Sequence, residues 1–222
     1  MQERANLAQF IAFLMVRVPD SKKKTNEAFD KMQKKIIQFT FSNREYVESF
    51  LKKTGNDSSS NAIDDITKFA LNPKKYTIEV SPNFWLGTML DVSRPICNII
   101  NSSDWTVLHF NKKFTLITSD NPVFLVPPEN YNHFFGYGVG TKGVVTLVPI
   151  SSNCCLVSKT KALNPSVEHI DLTDKSLSRN INYSIASNCD RYIYSAELRK
   201  LNKIVKDTHI DKYKKTARVV VN

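Results

Sequence analysis

No apolar stretch of this chain is long enough to span a membrane: the longest, residues 10–16, falls far short of the roughly 18 residues a spanning helix requires. That stretch also lacks the marks of a secretory leader. Glu3 stands where a leader is basic, Gln9 interrupts the apolar core, and no A-x-A pattern precedes Arg17. Cysteine is sparse and unpatterned. Cys97, Cys154, Cys155 and Cys189 show no C-x-x-C spacing, and an adjacent pair is poorly placed to bridge, which points to a reducing, cytoplasmic setting. His109, His133, His169 and His209 show no H-x-x-x-H spacing and no carboxylate at ligand spacing, so no metal centre is expected. Glycine is scarce too. Four of the six glycines crowd into residues 136–143, but the run precedes a strand and lacks G-K-S/T, so neither a dinucleotide fingerprint nor a P-loop is present. No G-x-S-x-G elbow marks a serine hydrolase.

What the chain does have is an ordinary globular composition and a strong positive charge. Hydrophobic residues make up 41% and charged residues 23% of the 222, enough for an ample core without disulfide staples. The net charge of +10 suits a nucleic-acid or other polyanionic partner. Most of that charge is lysine, whereas arginine is the better reader of phosphate and base edges. The lysine doublets at 34–35, 52–53, 74–75 and 112–113 are scattered rather than gathered in one block. A merely solvated basic surface therefore stands beside a polyanion-binding one.

The first half reads as helix. Leu7, Phe10, Ile11, Leu14 and Met15 form one apolar stripe closed by Arg17 and Pro19. Thr25 is expected to cap a second helix through Phe39, and Ser42 a third that stops at Gly55. A short helix covers 62–71, and Ser81-Pro82 opens another that Pro95 should kink. From residue 102 the period shortens to two. Runs 105–110 and 114–118 read as strands joined by a hairpin turn at 111–113, with further strands at 123–126, 144–148, 154–158 and 192–195. Helices are expected at 172–188 and 196–205, and the tail from Lys212 either frays or docks as a strand. Helices first and strands later is an α+β pattern. It divides into a helical region, 1–103, and a β-rich region with two helices, 104–222, sharing one core, the helical half packed on a small mixed or antiparallel sheet.

The most distinctive segment is F-T-L-I-T-S-D-N-P-V at 114–123, a strand running into Ser119, Asp120, Asn121 and Pro122. Asp and Asn bond their own downstream backbone and proline presets φ, so the bland reading is a tight turn. The functional reading is a carboxylate held rigidly at a sheet edge, where a ligand, a metal or a proton can be met. Preceded by Trp105 and followed by Pro149-Ile150-Ser151, this segment resembles the bacterial family named domain of unknown function 4238. The resemblance extends to Phe10, Ile11, Arg17 and Pro19 upstream. Downstream it takes in an Asn-rich helix with Asn180, Asn182 and Ala186, leading to Arg191, Tyr192, Tyr194 and Ser195. It implies no assigned activity. Typical members extend upstream of Met1, so the chain is expected to be the C-terminal portion of the usual length. The first helix, which starts its apolar period with no cap, agrees. Such a helix is expected to leave an apolar patch among Leu7, Phe10, Phe13 and Leu14 and to self-associate through it.

The candidate residues are Asp120 and Arg191 for catalysis and Ser119, Asn121 and Lys142 for binding, Asp120 being expected in a concave site. The glycine-rich run is expected to be a loop beside the Asp120 turn, or an anion nest with Lys142. Two function classes stay open, and the residues do not decide whether the chain is an enzyme. One is a basic module binding nucleic acid or another polyanion. The other is a hydrolase of nucleic acid or phosphoesters centred on Asp120, a toxin or defence effector of a bacterium or mobile element. A metal-dependent nuclease would want E-x-K on the following strand. Here Lys159 stands alone, and Glu197 and Lys200 fall on another element. The residues do not identify a cofactor, and no membrane partner is indicated.

Overall fold

Helix boundaries follow from which side chains can satisfy exposed backbone groups. The structure, a computed structural model, describes residues 2–111, 114–131, 136–160, 164–208 and 218–221. α1 (Gln2–Val16) buries Ala8, Ile11 and Leu14, while Phe10 on the same helix is exposed. α2 (Pro19–Phe41) begins six residues before Thr25, because proline's fixed φ and missing N–H suit a first helical turn. α3 (Arg44–Lys53) is capped by Asn43, whose side chain accepts the Tyr46 N–H at 3.1 Å. Ser42 instead donates to the Phe39 carbonyl and closes α2. Gly55, at φ +68°, takes the left-handed conformation just past α3. α4 (Ser60–Ala70) is capped by Ser59, and α5 (Pro82–Asn101) opens on Ser81 and runs on through Pro95.

The chain divides into two compact units, Met1–Pro19 with Gly87–Asn222 and Asp20–Leu86. The second is helical and closes around Val47, Leu51 and Ile63, with Phe41 and Ile66 against them. The first carries the sheets. β1 (Asp104–Phe110) alternates Trp105 and Val107 with Leu108 and Phe110, apolar on both faces, as a strand covered on both sides must be. β2 (Thr118–Ser119), β3 (Phe124–Val126), β4 (Val145–Pro149), β5 (Cys154–Lys159) and β6 (Val167–Leu172) follow. Five strands form a mixed sheet in the order β3-β4-β5-β1-β6, antiparallel except for the β1–β6 pair. α6 (Lys175–Asn188), β7 (Tyr192–Ser195), α7 (Leu198–Thr208) and β8 (Arg218–Val221) complete the unit, with a second sheet in the order β2-β7-β8. The architecture is α+β.

Two cores cover the two faces of the five-stranded sheet. On one, Trp105, Val148 and Leu156 meet Ala8, Ile11 and Leu14 of α1 and Ile100 of α5. On the other, Leu108, Phe110, Leu147, Cys155 and Val157 meet Ile181, Ile185 and Ala186 of α6 and Leu201 and Ile204 of α7. Two sequence expectations are corrected here, and one strand is new. The run at 114–118 makes no hairpin with β1, whose neighbours are β5 and β6; of its turn, Lys112 and Lys113 lie outside the described residues. β6 was hidden by its polar, edge-strand sequence V-E-H-I-D-L. The helix expected from 172 starts at Lys175, capped by Asp174, because Leu172 ends β6. No helix among the described residues is long and apolar enough to cross a membrane.

Cys155 has no exposed surface, and burial pushes its thiol from the ordinary 9.0 up to about 12. The unfolded chain gives up this proton first. Stability is therefore whole below pH 9.0 and lost as pH rises toward 12, at about 1.4 kcal/mol per pH unit. Urea titrations across that range should show the decline, and Cys155→Ala should flatten it. An unchanged slope in the variant would place its origin elsewhere.

Candidate functional site

The segment after β1 has strand-like composition, but among the described residues no strand pairs with it at 115–117. On one side the Leu116 N–H donates to the Ser152 carbonyl at 2.7 Å; on the other its partner is a side chain. Asn182, buried on α6, accepts the Ile117 N–H at 2.9 Å and donates to the Thr115 carbonyl at 3.0 Å, the two bonds a neighbouring strand would have supplied. The amide of Asn188 then donates to the Val123 carbonyl at 3.2 Å and the Asn121 carbonyl at 3.4 Å, while Asn121 Nδ2 donates to the Asn188 carbonyl at 3.0 Å. The Asn-rich helix is thus a ladder of backbone surrogates for the residues on either side of Asp120.

Asp120 follows β2 and closes the ladder. Its Oδ1 accepts the Asp190 N–H at 2.9 Å, and its Oδ2 accepts those of Arg191 at 2.7 Å and Tyr192 at 3.2 Å. Its own N–H donates to the Tyr192 carbonyl at 3.1 Å. The carboxylate fills a nest of three consecutive N–H groups at the turn from α6 into β7. The hydroxyl of Ser119, itself buried, accepts the Asn121 N–H at 3.2 Å. Arg191 reaches Asp120 through its backbone, while its guanidinium lies 3.3 Å from the Asp190 carboxylate. Lys142 is exposed and takes no part in these bonds. The glycine-rich run that carries Lys142 is held elsewhere. The Thr160 hydroxyl donates to the Val139 carbonyl at 3.0 Å, and Gly143, at φ +81°, lies against Pro128.

Two clefts lie beside this ladder, and Asp120 lines neither. The first, of about 320 Å³, is formed by Leu116, Ile117 and Thr118, by Pro149 to Ser152, and by Tyr194, Ser195 and Ala196. Three of the segments that carry the family resemblance meet here, and no charged residue is among the described lining residues. The second, of about 240 Å³, runs between α6 and α7 beneath Phe114 and Thr115. Lys175, Arg179 and Lys203 line it together with Ser178, Asn182, Tyr183 and Ile204, with no carboxylate among the described lining residues. Arg179 donates to the Tyr183 phenol oxygen at 3.2 and 3.1 Å through Nε and Nη2. Sequence reading passed over these cations. Their signal was present: Lys175, Arg179 and Tyr183 stand at i, i+4 and i+8 on one helix, one face under the 3.6 period.

Glu197, half of the separate carboxylate–lysine pair considered for a nuclease, accepts a hydrogen bond from the Thr115 hydroxyl, and its N–H donates to Ser195 Oγ at 3.0 Å. Neither the curated proteins nor the solved structures hold a match to this chain. A family model does. Described as "Protein of unknown function (DUF4238)", it matches residues 1–198 and so takes in α1, the Asn ladder, the Asp120 nest and the three segments lining the first cleft. The chain belongs to that family.

Proposed function

We propose that the protein binds a phosphate-rich polyanion, nucleic acid before others, with the cleft between α6 and α7 as its point of contact. The observation that carries this reading is the convergence of Lys175, Arg179 and Lys203 on one cleft that also holds Phe114 and Tyr183. Cations beside aromatic rings are what a single strand asks for: ammonium and guanidinium groups for the backbone, ring faces for the bases. The net charge of +10 adds long-range attraction for such a ligand. The ladder of Asn182 has a part in this. It fixes Thr115, and with it the roof of the cleft, against α6.

The test is the anisotropy of a labelled single-stranded oligonucleotide titrated with the protein at several salt concentrations. Each contacted phosphate contributes a slope of about −0.7 in log affinity against log salt for a single strand. Three contacts therefore predict a roughly 20-fold weakening between about 50 and 200 mM salt. Binding that is absent at both concentrations, or indifferent to salt, would count against the reading.

A further inference from the structure

His109 and His169 are sixty positions apart in sequence, yet the parallel pairing of β1 with β6 makes them neighbours. His109 stands opposite Cys154 in the antiparallel β1–β5 pair, and His169 opposite Val107 on the other side. All three side chains project from the sheet face that carries Trp105, Val107 and Leu156, beyond the edge of its core. Cys154 Sγ lies 3.3 Å from His109 Nδ1, and His109 Nε2 lies 2.9 Å from His169 Nδ1. The two rings are nearly parallel, 21° apart, with centroids 5.2 Å from each other. Cys154 and His109 are half-buried and His169 is exposed. His133 and His209 lie outside the described residues.

Each ring nitrogen of His109 has one partner, and the direction that serves chemistry is the one in which the thiol is the donor. A Cys154 thiol donating to Nδ1 leaves Nε2 protonated, and that N–H points at Nδ1 of His169. This is a nucleophile, a base and a group that orients the base, in hydrogen-bond reach of one another. We propose that Cys154 is a reactive thiol that undergoes exchange with low-molecular-weight disulfides, with His109 as its base and His169 as the residue that positions His109. The proton of Cys154 passes to His109 Nδ1, and the thiolate attacks one sulfur of the small disulfide. That S–S bond breaks, a Cys154–S–S–R bond forms, and the leaving thiolate takes the proton from the imidazolium. One disulfide replaces another, so no further oxidant is required.

The surroundings favour exchange over acyl transfer or metal binding. The Ile150 and Ser151 N–H groups are taken by the Cys154 carbonyl at 3.0 and 3.2 Å, and the Phe110 N–H by the Asn153 carbonyl at 2.7 Å. These neighbouring donors are therefore not free to hold an oxyanion. His109 sits between the sulfur and His169, so the three side chains do not converge on one point, and no group of three ligands among the described residues does. Cys155, next in sequence, points to the opposite face and has no exposed surface, so it cannot resolve the adduct. The product is a mixed disulfide on Cys154.

The experiment reacts the native full chain with Ellman's disulfide and, separately, with glutathione disulfide followed by peptide mass mapping. One fast equivalent per chain is expected, abolished by Cys154→Ala and slowed ~100-fold or more by His109→Ala, at the low end of what a positioned base contributes. His169→Ala should slow the reaction less, and His169→Gln should restore it, because the amide oxygen can accept the Nε2 proton. All variants should melt within a few degrees of the parent, since the cluster is not in either core. A fast equivalent that survives Cys154→Ala, a glutathione adduct mapped to Cys97, or an undiminished rate in both His109→Ala and His109→Gln would overturn the proposal.

Discussion

Replacing Asp120 with alanine is expected to lower the free energy of unfolding by about 3 kcal/mol, from the loss of charge-assisted bonds to three backbone N–H groups left without acceptors. The three donors, those of Asp190, Arg191 and Tyr192, are consecutive, so the whole turn between α6 and β7 loses its anchor at once. Asp120→Asn keeps one acceptor but aims an amide N–H₂ at a backbone donor, and should cost about 2 kcal/mol. Urea denaturation of the two variants beside the parent checks both the size and the order. Were the carboxylate present only for chemistry at an open sheet edge, both variants would unfold with the parent.

Asn182→Ala should cost a similar amount, about 3 kcal/mol, because it takes the partner from two buried main-chain groups at once. Ile117 and Thr115 are both buried, and each loses the bond that Asn182 supplied. Asn182→Asp removes the donor to the Thr115 carbonyl and introduces a buried charge, and should be no milder. The neighbouring Asn180 is exposed, and Asn180→Ala should stay within about 0.5 kcal/mol of the parent. If Asn180→Ala and Asn182→Ala were equally harmless, the ladder would not be holding the segment.

The turn chemistry of S-D-N-P was legible in the chain, and so was the strand end before it. What the chain hid was the partner. Asn182, sixty-seven positions from Thr115, replaces a strand that periodicity alone predicts as part of a hairpin. Alternation at 114–118 reports that the segment is half-buried, not what lies beside it. The same limit applies to β6, whose V-E-H-I-D-L sequence is too polar to read as a strand yet pairs in parallel with β1 over six residues. That pairing creates the His109–His169 contact, which spacing rules for metal or catalytic motifs cannot reach. A local cue sufficed at one helix start, Ser81-Pro82, which opens α5. At α3 two capping residues stood side by side, and Asn43 took the role that Ser42 could also have filled. The basic cleft was half legible. Lys175, Arg179 and Tyr183 share a helical face by count, but Lys203 reaches it from α7.

The most direct measurement compares the oligonucleotide affinity of the parent with two triple variants that lose the same charge. In one, Lys175, Arg179 and Lys203 become alanine; in the other, Lys22, Lys23 and Lys31 on α2 do. Both sets are exposed, so neither variant should lose its fold. If the α6–α7 cleft is the contact, the first variant should bind at least ~10-fold more weakly and its salt slope should shrink by about 2, while the second stays close to the parent. Equal weakening by the two variants would mean that only net charge matters, and would contradict a site between α6 and α7.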